Sequence, residues 1–289
     1  MTASRWELSC RLDFDVTEAA SLAVLVSAAR RPSLAVTDTF GVFVDGEPGR
    51  VTPTVIDAAD GQRTHVLELP VGAVSIAYDA VVVRSPPGVT DAPLASPDPA
   101  TIRAAELRTL RPSRYCPSDR LAGWARREFL DGGSPPADPV GQLELARAVT
   151  NWVFERTDYV LGSSDGTDDA VHTLLSSQGV CRDFAHLVLA ICRALDLPAR
   201  LAAVYAPGLS PMDFHAVAEV AVGGRWLVHD ATALAPRPSL VRIATGRDAA
   251  DTAFVTVFRG QAELTGSTVG AIIDGDLPPD DHDEPVELD

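Results

Sequence analysis

Residues 176–195, SSQGVCRDFAHLVLAICRAL, put a thiol at the start of a helical pattern. Gly179 and the β-branched Val180 lead directly into Cys181. Phe184, Leu187, Val188, Ile191 and Leu195 then recur at helical spacing, and Pro198 closes the pattern. The first turn of a helix carries four N–H groups without helical partners and a partial positive charge. A cysteine there can fall from a pKa of about 8.5 to roughly 3.5–7.5 when a histidine assists. The same N–H groups can stabilise the oxyanion formed when a thiolate attacks a carbonyl. The alternative role of a cysteine is that of a small buried hydrophobe. Cys192 fits that role, mid-helix and about 16 Å along the axis from Cys181. Cys10 and Cys116 carry no comparable signal.

A nucleophilic cysteine needs a base, and the base needs a group to orient it. FHAVAEVAVGGRWLVHDAT reads as a hairpin turning at Gly223-Gly224. A two-residue turn sets Val222 opposite Arg225, Val217 opposite Asp230 and His215 opposite Thr232. His215 and Asp230 then share a face as diagonal neighbours about 7–8 Å apart at the backbone. A three-residue turn would separate them. His229 falls on the opposite face. His186 is turned away from Cys181 around the helix and is expected to pack or to bind nearby backbone. His172 and His65 have no carboxylate placed as Asp230 is. Tyr159, Trp152 and Gln178 are the upstream side chains that could complete an oxyanion site, with packing or turn roles as their alternatives. Asp183 is expected to complement the helix dipole in the first turn.

The elements that must position these groups form an α+β pattern. Residues 1–84 read as an N-terminal β-sandwich-like domain, with turn signals at Asp45-Gly46, Pro48-Gly49 and Asp60-Gly61. Residues 85–100, rich in Pro, Ser and Ala, read as a linker. Residues 101–272 then carry helices over DRLAGWARREFL and VGQLELARAVTNWVFERT, a short helix from Ala170, the Cys181 helix, and strands including ARLAAVYA, the hairpin and AFVTVFRGQAELT. The expected core packs the Cys-bearing helix on an antiparallel sheet. Residues 273–289 hold eight acids and no basic Arg, and read as a disordered acidic tail.

Composition narrows the function classes. The net charge of -16 disfavours nucleic acid and anionic membranes as partners. No run reaches the length of a membrane span, and MTASRWELSC lacks a signal-type apolar stretch. With four cysteines and no CxxC pair, reduced thiols in the cytoplasm are expected. No structural-zinc spacing is present, so neither metal nor cofactor is expected. All 24 basic residues are Arg, and there is no Lys.

GVCRDFAHL, DFHAVAEV and WLVHDAT, in that order, resemble the transglutaminase-like superfamily of thiol enzymes. LRPSRYCPSD before the first long helix and LDLPARLAAVY after the Cys helix are similar to its bacterial branch. The likeness runs from Leu110 to about Thr232, and more loosely to the β-rich N-terminal region that accompanies this branch. It implies a papain-like α+β core with Cys181, His215 and Asp230 as a triad. Where the family usually has Trp after His-Ala this chain has Val217, and where it has Asp-Pro-Thr this chain has Ala231 in the middle. The expected activity is acyl transfer from amide bonds of a peptide or protein substrate, with hydrolysis favoured over crosslinking. Two other readings stand beside it: a catalytically silent module that binds a peptide or protein partner, and, more distantly, a metal enzyme that uses the same three side chains as zinc ligands.

Overall fold

The computed structural model describes residues 4–84 and 104–288. The stretch read as a linker, 85–100, lies outside the described residues. The N-terminal strands are β1 (Ser4–Val24), β2 (Leu34–Val44), β3 (Glu47–Pro48), β4 (Thr54–Asp57), β5 (Arg63–Leu69) and β6 (Gly72–Arg84). Then come α1 (Ala104–Thr109), α2 (Ser118–Leu130), α3 (Pro139–Arg156), β7 (Asp158–Tyr159), α4 (Ala170–Ser176), β8 (Gln178–Gly179), α5 (Cys181–Ala194), β9 (Ala199–Tyr205), β10 (Phe214–Val222), β11 (Arg225–His229), β12 (Val241–Gly246), α6 (Ala249–Thr252) and β13 (Val255–Ile273). The α+β class expected from the sequence is the one observed. No described helix is long and apolar enough to cross a membrane.

The first sheet is antiparallel and seven-stranded, in the order β3-β2-β6-β1-β5-β4, with β13 paired to β1. Alternation along β1 buries Trp6, Leu8, Cys10, Leu12, Phe14 and Val16 and leaves Glu7, Arg11 and Asp15 exposed, the signature of a sheet with one dry face. Irregular register between Val16 and Leu22 accompanies a change of neighbour, because β1 pairs with β6 up to Val16 and with β5 from Ala20. At the β2–β3 turn, Asp45 and Gly46 both take positive φ (52° and 82°), as the Asp-Gly signal requires.

Two features differ from the sequence reading. Residues 255–272, read as part of the core, instead belong to β13, which runs antiparallel along β1 from Val255 to Ile273. A strand's own residues fix its periodicity but not its partner, and only tertiary pairing decides which sheet receives it. The acidic tail is also placed differently from the expected disordered segment. It crosses the core: Val228 donates its N–H to Val286 O at 2.8 Å, and Arg242 donates to Leu288 O at 2.9 Å. Arg225 meets Glu287 at 2.5 Å, while Arg237 forks onto Asp280 and donates to Glu284 O. Arginines on the core thus pair with two of the acids that suggested solvation, and the buried Leu288 anchors the tail's far end.

The second sheet, antiparallel with order β11-β10-β9-β12, carries α5 on one side. The periodicity of α5 predicts a single apolar face, yet every residue from Asp183 to Ala194 is buried. Helices α2, α3 and α4 close over the faces of α5 that the sheet leaves open. Arg193 is satisfied within this packing by the carbonyls of Ala199, Arg111 and Arg247 and by Ser113 Oγ. The inner face of the first sheet shares one hydrophobic cluster with Tyr205, Val241, Ile243 and Ala244 of the second. Trp6 Nε1 donates to Ser239 O at 2.9 Å and Tyr205 Oη to Val26 O at 2.8 Å, so polar groups are also paired across this contact.

The Arg237–Asp280 pair is nearly buried, at 4% and 5% exposure. Burial opposes the Asp280 charge, but Arg237 and backbone N–H groups outweigh it and hold the carboxyl well below its ordinary range. A lowered carboxyl pKa stabilises the fold above the unfolded value, about 4, and the contribution is lost as pH falls through the folded value. Arg237→Ala should therefore destabilise the protein by about 3–5 kcal/mol at neutral pH. Urea unfolding of both proteins checks this. The gap should narrow progressively below about pH 4, and a gap independent of pH would contradict the assignment.

Candidate active site

The site starts at the N-terminus of α5. Val180 is the N-cap residue, and its apolar side chain provides no cap hydrogen bond. Asp183, at the third helical position, accepts from the Val180 N–H at 2.9 Å, and the N–H groups of Asp183 and Phe184 turn back to Val180 O. The cap itself takes neither the Cys181 nor the Arg182 N–H, which is what an oxyanion-stabilising helix start requires. Asp183 acts locally, as expected. Gly179 makes room for it, since a Cβ at Gly179 would lie 2.6 Å from Asp183 Cβ. Arg182, salt-bridged to Asp183 at 3.1 Å, also donates to Ser164 Oγ and Asp165 O and so holds the 160s loop beside the helix start.

The hairpin has the register that the Gly223-Gly224 turn predicts: Val222 lies opposite Arg225 and Ala218 opposite His229. Continued past the last paired residue, the same count brings His215 and Asp230 onto one face, and His215 Nε2 lies 2.8 Å from Asp230 Oδ2. With Nε2–H donating to the carboxylate, Nδ1 has no other partner within the protein's hydrogen-bond network and is buried. The Cys181 sulfur is the group that interacts with the ring from the remaining side. Burial opposes an imidazolium here. The Asp230 charge and hydrogen bond, with Cys181, outweigh that and push His215 up to about 10. Burial likewise opposes the Asp230 charge, but His215 and the Thr232 N–H and hydroxyl hold its carboxyl below its ordinary value. Thr232 donates to Asp230 Oδ1 twice, at 2.9 and 2.8 Å. Sequence reasoning placed Thr232 opposite His215 without giving it this task. The Asp-x-Thr spacing, a local side-chain-to-backbone turn, is the signal that could have found it.

The three upstream candidates separate. The parallel pairing of β7 with β8 sets Tyr159 opposite Gly179, two residues before Cys181. The Tyr159 hydroxyl interacts with both the N–H and the sulfur of Cys181; burial and the nearby sulfur push it up to about 12. Trp152 lies elsewhere, in an edge-to-face cluster with Trp124 and Phe129, its Nε1 donating to Glu128 at 2.8 Å. Gln178 is exposed on β8, where the bridge to Asp158 uses its backbone. Of the three, the geometry brings only Tyr159 to Cys181. The reason is the bridge, a contact between distant residues that no local pattern announces.

The remaining histidines fall where the sequence put them or outside the site. His229 is on the opposite face, bonded to Thr150 at 3.1 Å, and burial presses it down to about 3. His186 accepts from the Ala249 N–H and stacks on Tyr115. Burial pushes the thiols of Cys10 up to about 11 and of Cys116 and Cys192 up to about 12, while Cys181 is partly exposed. Val217 and Ala231, the two departures from the resembled pattern, are both buried apolar residues. Among the described residues no group of three His, Cys, Asp or Glu is arranged to hold a metal ion.

A histidine with a raised pKa stabilises the fold fully below its unfolded value, about 6.5, and loses that contribution as pH rises through the folded value. NMR titration should therefore find the His215 imidazolium persisting above about pH 8. In Asp230→Asn burial is left as the dominant influence, and the same resonance should titrate several units lower. An unchanged midpoint in that variant would contradict the electrostatic account.

Known proteins share the sequence pattern and the fold. The model of the transglutaminase-like superfamily matches residues 131–231, which contain Cys181, His215 and Asp230. The crystal structure of the "Putative Cysteine Protease" from Cytophaga hutchinsonii is 31% identical and superposes with a TM-score of 0.83, over 97% of this chain and 94% of that one. The uncharacterized protein ML0607 of Mycobacterium leprae is 24% identical over 155 residues, 50% of this chain and 52% of the relative, so the chain spans about half the length of that relative. The periplasmic domain of TgpA from Pseudomonas aeruginosa is 19% identical over 78% of this chain and 87% of that one, with a TM-score of 0.38. With the family model matched over residues 131–231 and the Cytophaga hutchinsonii structure over nearly the whole chain, the chain belongs to the transglutaminase-like superfamily.

Proposed function

We propose that the protein is a cysteine-dependent acyl-transfer enzyme that cleaves amide bonds of a peptide or protein substrate, with Cys181, His215 and Asp230 as its triad. One observation carries the reading: a buried imidazole has one nitrogen bound to a carboxylate and the other left unpaired, and the partly exposed helix-start thiol of Cys181 acts on the same ring. In this mechanism the one proton shared by Cys181 and His215 lies on the imidazole, and the sulfur attacks the scissile carbonyl as the thiolate. The N–H groups of Cys181 and Arg182 and the Tyr159 hydroxyl receive the developing oxyanion. His215 then gives its proton to the leaving amine, and the thioester left on Cys181 is resolved by water. Asp230 holds the ring and stabilises its charged form.

Hydrolysis is favoured over crosslinking. Transfer needs a bound primary amine, and a chain without lysine supplies none from its side chains. The test offers an acyl substrate with and without millimolar amine and measures free acid against amide. Free acid should dominate; predominant amide would reverse the preference while leaving the triad in place. Cys181→Ala should abolish turnover, and Tyr159→Phe should lower kcat by about 10- to 1000-fold with little change in KM. A kcat unchanged in Tyr159→Phe would remove that residue from the oxyanion site.

A further inference from the structure

Asp213 stands just ahead of β10, two residues before His215. In extended chain, positions two apart leave on the same side. Its carboxylate is exposed, accepts from the Phe214 N–H at 2.7 Å, and has no ion-pair partner among the described residues. Its charge also acts on the Tyr159 hydroxyl, the group that interacts with the Cys181 sulfur, so the carboxylate borders the same mouth.

The charges around this mouth do not cancel. Arg182 is committed to Asp183. Cys181, His215 and Asp230 together carry one net negative charge whether the proton sits on sulfur or on the ring. Asp213 adds a second. A carboxylate and a thiolate at one mouth repel each other unless a cation lies between them. A substrate that brings a positive group relieves that repulsion as it binds.

We propose that Asp213 is a specificity residue that selects an alkylammonium or guanidinium group next to the scissile carbonyl. The inference rests on the reading of Cys181 as the nucleophile. The cation has two possible sources: a basic side chain on the acyl-bearing peptide, or the ammonium of an amine acceptor.

Two measurements test it. The first needs no turnover: Cys181 is modified with trimethylammonioethyl and sulfonatoethyl methanethiosulfonates, and the rate ratio is normalised to that of a free thiol. The cationic reagent should react about three- to tenfold faster at low salt, less so as ionic strength rises. Asp213→Asn should bring the ratio close to one, Asp213→Arg should invert it, and Asp57→Asn, on the distant β4, should leave it unchanged. A ratio unaffected at position 213 would overturn the proposal. The second compares kcat/KM for amide substrates bearing Arg or Glu beside the scissile bond, and KM for amine acceptors, in the wild type and Asp213→Asn. Loss of an Arg preference identifies the side chain as the source; a rise confined to the acceptor's KM identifies the amine; no change in either overturns the selection. Failure of every substrate to turn over would sink the enzymatic reading, while the reagent ratio would still report on the field of Asp213.

Discussion

An imidazole and a carboxylate withdrawn from water 2.8 Å apart hold one another in place. Each alone would be disfavoured in its charged form by burial; together, with the Thr232 bonds on the carboxylate's other oxygen, they form a satisfied unit. The orientation of the ring follows from this bond. One nitrogen is tied to Asp230, which leaves the other free, and the sulfur at the start of α5 interacts with the same ring. The charge on the ring, the direction of its free nitrogen and the polarity of the whole site depend on this contact.

Much of the fold serves to keep that contact dry and in register. A two-residue turn fixes the hairpin so that His215 and Asp230 share a face, and one inserted residue would separate them. The burial of α5 on every side sets the height of Cys181 against the strands, and Arg193 pins the loop at Ser113 to the other end of that helix. The tail reaches the same structure from outside: Val286 accepts from Val228, two residues before Asp230, on the outer edge of β11. The first sheet is coupled to the second through a shared apolar cluster rather than resting beside it.

The parts legible in the sequence were those encoded locally. Cys181 announced itself by standing where a helical period begins, and His215 with Asp230 by alternation about a Gly-Gly turn. Asp183 was read from its place in the first turn. The parts that were not legible depend on contacts between distant residues. Tyr159 reaches Cys181 only because two dipeptides pair across residues 158–179. Trp152, equally aromatic and equally upstream, faces away into a cluster with Trp124 and Phe129. β13 has an ordinary strand pattern and finds its partner in a strand at the other end of the chain. The acids after Asp274 suggested solvation, and only the positions of Arg225 and Arg237 in the folded core show what they pair with. Asp213 opens the DFHAVAEV segment but has no task in the sequence reading; its place follows from that of His215.

The account's central claim is that Cys181 becomes acylated and that His215 makes this possible. Intact-mass measurement and peptide mapping after rapid mixing with an activated acyl ester test it most directly. One acyl group per chain, on Cys181, is predicted for the wild type, with acylation of His215→Ala slower by several orders of magnitude. Acyl groups on another residue, or equal rates in the two proteins, would contradict it.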